Sequence, residues 1–457
     1  MLKTQTGRQK IIIVGGNAAG PAAAAKAKRL SPNSTVKLYE AGKFISTGTC
    51  ELPYVLSKII HDYKNIVYFD EKSFFLKKGV EVYTKHFVEK IDRKNKKITI
   101  VNIIDGKRFE ENYDKLILTT GSKPKEIPNL SVSLVNVFHL KSVKELIDIQ
   151  SYLSLNDVKK VLILGAGYIG LEAAESFIKL GKEVTILELA GLPFPGAEPE
   201  IQNLILNVLN KTGVKFLGNS KNTMFQTNSE RLKGIKYKGR FITFDMAVVA
   251  AGFVPNNDLA LSTKLKTGDF GGLRVDTKLK TSDPNIFAAG DNIEVPNKIT
   301  GKFDYLPIAT LAHEHGHIAG ENAVGGNMHI HPVIKNTAVK IFSNVYASVG
   351  LNFEQARNYS IHSDFVYGFA NNIVPVMPDS KKVFGKIIFD TEKKIILGAS
   401  FLGGREVTGY ADLISAFIHE KIDARVLHKL NFNYTPPSSP FINLLSVLGR
   451  KIKDKIK

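Results

Sequence analysis

At 457 residues the chain is too long for one ordinary hydrophobic core and implies roughly two to four domains. With 44% hydrophobic and 23% charged residues, it is neither disordered nor fibrous. Lys+Arg 62 against Asp+Glu 43 leaves a formal charge of +19, which fits either an anionic partner or a lysine-rich solvated surface. The lysines are dispersed, Trp is absent, and no stretch interleaves Arg with aromatics, so a solvated surface is expected and a nucleic-acid partner is not. Cys50 is the single cysteine. That excludes an intramolecular disulfide and any zinc or iron–sulfur site built on cysteines, and it points to a reducing, cytoplasmic setting.

Lys3, Arg8 and Lys10 precede Ile11-Ile12-Ile13-Val14 and an alanine-rich run to Ala25, which superficially resembles a secretory leader. The interruption Gly15-Gly16-Asn17-Ala18-Ala19-Gly20 reads better as a strand, a glycine turn and a small-residue helix. No run of about 18 strongly apolar residues occurs, so no membrane span is expected.

That strand-turn-helix plan occurs twice. Ile11 to Val14 leads into the first loop, a helix from Pro21 to Leu30 and a second strand, Thr35 to Tyr39, closing on Glu40. Val161 to Leu164 leads into Gly165-Ala166-Gly167-Tyr168-Ile169-Gly170, a helix through Leu180, and a strand from Val184 to Leu187 closing on Glu188. The first glycine permits the tight turn, the middle one lets backbone approach a pyrophosphate, and the last lets helix pack on strand. The second loop has all three; the first has Asn17 in the middle position. Glu40 lies 20 residues after Gly20 and Glu188 lies 18 after Gly170, where a carboxylate can accept hydrogen bonds from ribose hydroxyls. Two dinucleotide-binding units are expected.

Between them, alternation at Val80, Val82, Ile91, Ile98 and Ile100 suggests antiparallel hairpins covering one side of the first sheet. Apolar strands at Tyr113 to Leu118 and Met246 to Val249 end in Thr119-Thr120-Gly121 and Gly252, matched points where the chain would cross between units. Asn285 to Asp291 reads as a strand, a small turn and an exposed acid. Beyond about residue 331, hairpins and a helix at Gly409 to Lys421 are expected. The basic tail from Arg450 to Lys457 reads as a frayed terminus.

This order of motifs resembles the FAD-dependent pyridine nucleotide–disulfide oxidoreductases from Ile11 to about Pro437. It is closest to the single-cysteine branch of coenzyme A–disulfide reductases, NADH oxidases and NADH peroxidases. The resemblance implies an α/β fold with two Rossmann-like domains, for FAD and NAD(P)H, plus a C-terminal α+β dimerisation domain. The implied boundaries are 1–122 with 253–330 for FAD, 123–252 for NAD(P)H and 331–457 for the homodimer interface. On the flavin side it implicates Gly15, Gly16, Asn17, Ala18, Ala19, Gly20, Glu40, Ser46, Val88, Thr120, Gly121, Asp291 and Ala309. On the NAD(P)H side it implicates Gly165, Gly167, Tyr168, Ile169, Gly170, Glu172, Glu188 and Gly252. Glu188 favours NADH over NADPH, because a carboxylate repels a 2′-phosphate.

The branch is suggested by Ser46-Thr47-Gly48-Thr49-Cys50-Glu51-Leu52-Pro53-Tyr54, which is similar to the Ser-Phe-x-x-Cys-x-Leu-Pro-Tyr stretch of the coenzyme A–disulfide reductases. Pro53 fits a first helical turn, so Cys50 would lie where unpaired N–H groups stabilise a thiolate. Glu51, where small residues are usual, would raise the thiol pKa and repel an anionic substrate. A lone sulfur must cycle with a partner outside the chain, as a mixed disulfide or as a sulfenic acid. By resemblance, Lys28, Arg29 and Lys78 would meet the phosphates of coenzyme A. Tyr434, in Tyr434-Thr435-Pro436-Pro437, would be the catalytic acid reaching a partner's cysteine. A second family tyrosine is expected near Phe365 to Tyr367, with Phe365 at its position. The first loop lacks the histidine of the NADH peroxidases. His313, His315 and His317 fall on a helix that would spread them about its axis, so no metal is expected.

The expected activity is NADH-driven reduction of coenzyme A disulfide or a related small disulfide, persulfide or polysulfide. The alternatives are an NADH oxidase working through cysteine sulfenic acid, and a flavin-bearing redox sensor or electron-transfer partner.

Overall fold

The computed structural model describes residues 9–456; Lys3 and Arg8 of the leader-like stretch, and Lys457 of the tail, lie outside them. The first sheet is parallel and five-stranded, in the order Ile286–Ala288, Lys115–Leu118, Lys10–Val14, Thr35–Tyr39, Glu81–Tyr83. Ile11, Ile12 and Ile13 are all fully buried, which is why this strand is an unbroken apolar run. The alanines of helix Ala19–Leu30 have an equally specific cause. A Cβ on Gly316 or Gly320 of helix Ala309–Ala323 would fall 2.3 Å from the Ala19 carbonyl oxygen or 2.2 Å from that of Ala23, so the two helices pack backbone to backbone.

The 80–105 region departs from the expectation. Val82 lies in Glu81–Tyr83, which extends the parallel sheet beside Lys37–Tyr39, and the antiparallel meander begins only at His86–Asp92. Alternation alone does not separate a short edge strand from the first arm of a hairpin.

The second unit repeats the plan, with parallel strands in the order Val137–His139, Met246–Val249, Lys160–Leu164, Glu183–Leu187, Lys215–Leu217. Its crossing points pair with each other: Ser122–Pro124 runs antiparallel to Phe253–Pro255.

A third, antiparallel sheet follows, in the order Asn336–Ile341, Asn344–Gly350, Ile396–Gly403, Lys382–Asp390, Ser363–Asn371. Helix Glu406–His419 packs against it, starting three residues and ending two residues earlier than the sequence suggests. The basic tail is not frayed. Helix Leu444–Lys455 buries Leu444, Leu448 and Ile452, one apolar stripe at helical spacing, while Lys451 donates to the Tyr367 carbonyl and Lys455 pairs with Asp364. Among the described residues no helix is long and apolar enough to cross a membrane.

Candidate active site

The two glycine loops are built alike. A Cβ on Gly20 would fall 1.9 Å from the Gly15 oxygen, and one on Gly170 2.0 Å from the Gly165 oxygen, so each loop closes only without a side chain there. Gly15 and Gly165 sit at φ +110° and +108°. The closing carboxylates brace the loops: Glu40 accepts from Gly16 N and Gly42 N, both at 2.6 Å, and Glu188 from Ala166 N at 2.8 Å and Ala190 N at 3.1 Å. Burial pushes the Glu40 carboxyl up, against those two backbone donors. A Cβ on Gly167 would meet nothing within 4 Å, so open space lies where a phosphate would approach the helix that starts at Tyr168. In the first loop Asn17 holds that position with its own function: its Oδ1 accepts from Thr47 N at 3.1 Å and Thr47 Oγ1 at 3.2 Å, tying the loop to the segment that leads to Cys50. These cradles fit a dinucleotide in each unit. Ala18 and Ala19 open the first-loop helix, and Ser46 N donates to Gly16 O, with Ser46 at φ +49°.

Thr120 Oγ1 donates to Asn256 O at 2.6 Å, and Gly121 and Gly252 take positive φ with open space where a side chain would lie. Asp291 accepts from Ser122 Oγ at 3.2 Å, and burial pushes its carboxyl up. Sequence reasoning missed Lys141, which donates to the same Ser122 Oγ at 2.6 Å and lies 4.1 Å over the Phe253 ring. Burial pushes its ammonium down, opposed by Asp291 and Glu145. Val88 is buried in the meander, and Ala309 starts its helix beside a cleft of about 330 Å³ lined by Ile308, Thr310, Asn336 and Thr337.

Cys50 is exposed and lies in the turn Thr49–Glu51, ahead of the short helix Leu52–Leu56. Of the two opposed influences expected, the helix start and Glu51, the upward one prevails and the thiol pKa is raised. Desolvation by the walls around the sulfur is the largest cause, then the charges of Glu51, Glu172 and Asp291. A five-residue helix offers little dipole against three carboxylates. Asp291 belongs to the first unit and Glu172 to the second, so the sulfur stands where both converge.

On the second unit's side, the Tyr168 hydroxyl shares a 2.7 Å hydrogen bond with Thr337, and its ring meets Phe194 edge-on at 4.7 Å. Ile169 packs partly buried beside it. Burial lifts Glu172 to about 7 despite a hydrogen bond from Tyr54, which sequence reasoning also left out.

The three proposed phosphate ligands lie at the C-terminal ends of helices Ala19–Leu30 and Glu71–Lys78. Lys28 Nζ donates to Pro32 O and Ser34 O, both at 2.8 Å, and its stem runs against Gly79, next to Lys78. Arg29 and Lys78 are exposed, with Lys78 Nζ 5.9 Å from the Phe69 ring. His315 is buried, which pushes it down to about 4, whereas His313 and His317 stack edge-on at 4.6 Å on the other side of the helix. Among the described residues no cluster of His, Cys, Asp or Glu is placed to hold a metal. Tyr434 is half exposed and meets Phe441 edge-on at 5.4 Å; Phe365 meets Phe353 edge-on at 4.8 Å under the Lys386 ammonium.

Paired nucleotide cradles converging on one sulfur define a dinucleotide-dependent oxidoreductase. Residues 9–316 match the family of pyridine nucleotide-disulphide oxidoreductases, and the chain belongs to it. It is 30% identical to an NADH oxidase of Methanocaldococcus jannaschii, over 98% of this chain and 99% of that one. Among solved structures it resembles reduced CoADR-RHD of Bacillus anthracis, with a TM-score of 0.93 and 27% identity over 98% of this chain and 81% of that one. It also resembles an NAD-dependent persulfide reductase of A. fulgidus, with a TM-score of 0.92 and 30% identity over 98% and 83% of the two chains.

Proposed function

We propose that this chain is a homodimeric FAD-dependent oxidoreductase that uses NADH to reduce a small disulfide, coenzyme A disulfide or a persulfide relative, through Cys50. The observation that carries the reading is that the chain's single cysteine feels the charges of Asp291, beside the first nucleotide loop's sheet, and Glu172, on the helix of the second loop. Bound flavin would supply the relay, accepting hydride from nicotinamide and delivering two electrons to sulfur. The residues for it are the first glycine loop, Glu40, Thr120 and Asp291; those for NADH are the second loop, Tyr168, Glu172 and Glu188. Cys50 as thiolate attacks the disulfide, keeps one half as a mixed disulfide and releases the other as thiolate. Two-electron reduction of that bond frees the second thiol and restores Cys50. Arg29 and Lys78 remain available for a phosphorylated substrate, whereas the Lys28 ammonium is engaged with carbonyls.

A second reading, an NADH oxidase cycling Cys50 through sulfenic acid, draws on the name of the M. jannaschii relative. Intact mass before and after a thiol reductant separates the two. Loss of a thiol-sized adduct supports the disulfide reading, and loss of a single oxygen supports the oxidase. If Cys50→Ser leaves all NADH-driven turnover intact, both fail.

A further inference from the structure

Glu51 differs from the other carboxylates near the sulfur. Asp291 accepts from Ser122, which Lys141 also bonds, and Glu172 accepts from Tyr54. Glu51 has no lysine or arginine partner among the described residues. Its side chain nevertheless does not swing free. The carboxylate folds back over the turn that carries the thiol, so close that a Cβ on Gly48 would fall 2.5 Å from Glu51 Oε2. Tyr68 holds it there, its hydroxyl donating to Glu51 Oε1 at 3.3 Å. Strand pairing delivers Tyr68 to this place: Val67–Phe69 runs antiparallel to Ile45–Thr47, with Thr47 opposite Val67, and Gly48 N donates to Ile66 O. Tyr68 feels both Glu51, its largest influence, and Cys50. A carboxylate with no cationic partner among the described residues therefore lies against the turn that carries Cys50, in a chain whose formal charge is +19.

We propose that Glu51, positioned by Tyr68, is a charge filter on Cys50 that favours disulfides neutral or cationic around the sulfur–sulfur bond and discriminates against those with negative charge beside it. In the exchange step the Cys50 thiolate forms one S–S bond while the substrate's S–S bond breaks and its leaving sulfur departs as thiolate. The negative charge of that sulfur array is common to every substrate. A carboxylate on the substrate adds a second charge that Glu51 repels, so the filter acts on ratios between substrates. The basic residues Arg29 and Lys78 lie at separate helix ends, so an anionic group far from the sulfur escapes this penalty. The inference rests on the reading of Cys50 as the attacking sulfur and adds which acceptors it takes.

The chain's single cysteine makes the test unambiguous, because any thiol reagent reports on Cys50 alone. The pre-reduced holoprotein is alkylated with neutral iodoacetamide and anionic iodoacetate across a range of pH, and intact mass follows both reactions. Glu51→Gln is expected to lower the iodoacetamide-to-iodoacetate rate ratio about tenfold, the effect of one short-range like-charge contact at intermediate dielectric. It should also shift the pH dependence of alkylation downward, which a purely structural role would not do. Tyr68→Phe should lower the ratio about two- to threefold, and added salt should lower it in the unaltered protein. A ratio unchanged by Glu51→Gln, or indifferent to salt in the unaltered protein, overturns the filter. NADH-driven turnover is then compared for cystamine, 2-hydroxyethyl disulfide and dithiodiglycolate, which carry positive, no and negative charge beside the same bond. A preference in that order that collapses in Glu51→Gln supports the filter, and equal preference in both proteins overturns it. If neither these three nor coenzyme A disulfide nor polysulfide is reduced, the disulfide-reductase reading fails, while the alkylation ratios still decide the filter.

Discussion

The Tyr54 hydroxyl donates to Glu172 Oε1 at 3.1 Å across 118 residues of sequence, joining the Cys50 segment to the helix that follows the second nucleotide loop. Burial lifts Glu172 from the ordinary 4.5 to about 7, and the Tyr54 bond holds it from rising further. The folded protein therefore binds this proton more tightly than the unfolded chain. The resulting stability is fully present below about pH 4.5 and is lost as pH rises through about 7. Glu172→Gln should flatten that part of the stability profile, as measured by thermal unfolding across pH. Tyr54→Phe removes the bond to the ionised form and should move the loss to higher pH.

The glycine loops separate folding from binding. An added methyl at Gly20 would meet the Gly15 oxygen at 1.9 Å, so Gly20→Ala should cost about 1–3 kcal/mol and lower the unfolding temperature. Gly167 has φ −86° and nothing within 4 Å of a built Cβ, so Gly167→Ala should leave the unfolding temperature unchanged. Its effect should appear instead as a raised KM for NADH. An unchanged KM would mean that the cofactor does not approach this loop.

What was legible in the sequence followed from local physics. Strands buried on both faces are continuous apolar runs, as at Ile11 to Val14 and Val161 to Leu164, and the loop glycines are required by contacts within their own turns. Glu51 was legible because it adjoins Cys50. Lys141 and Tyr68 were not, because antiparallel pairing and a domain crossing bring them to the site from distant positions. For the thiol, the upward push from Glu51 is visible locally, but the burial around the sulfur and the charges of Glu172 and Asp291, which outweigh the helix start, come from other parts of the chain. In the tail, lysines between the apolar positions masked the stripe of Leu444, Leu448 and Ile452.

Lys386 and Glu198 form a 2.7 Å ion pair with only 3% of either side chain exposed, and Glu200 joins at 3.0 Å. The pair clamps the third sheet onto the N-terminus of helix Pro199–Lys211 in the second unit. Lys386→Ala leaves a buried carboxylate without its cation and should cost about 3–5 kcal/mol in thermal or denaturant unfolding. Lys386→Met combined with Glu198→Leu should recover part of that loss, because the fully buried carboxylate is gone while the more exposed Glu200 and the Phe353 N–H that bonded Glu198 lose a partner.

Tyr367, Phe369, Val376, Tyr434, Phe441 and Ile442 are exposed on the C-terminal unit. Val374 N bonds Pro436 O, which brings the loop after strand Ser363–Asn371 against the segment that carries Tyr434. An exposed apolar face of this kind fits a second copy of the chain. For the proposed dimer, Phe441→Glu should give monomer in analytical ultracentrifugation where the unaltered chain gives dimer; a dimer that persists places the contact elsewhere, and an unaltered chain that sediments as monomer overturns the dimer. Tyr434→Phe should keep the dimer but lower turnover by about a hundredfold if the phenol supplies a proton at the partner's sulfur. Mixing Cys50→Ser and Tyr434→Phe subunits gives the decisive measurement. Each hybrid dimer then joins an intact cysteine to an intact tyrosine from the other subunit at one of its two sites, so activity should reappear from two inactive proteins.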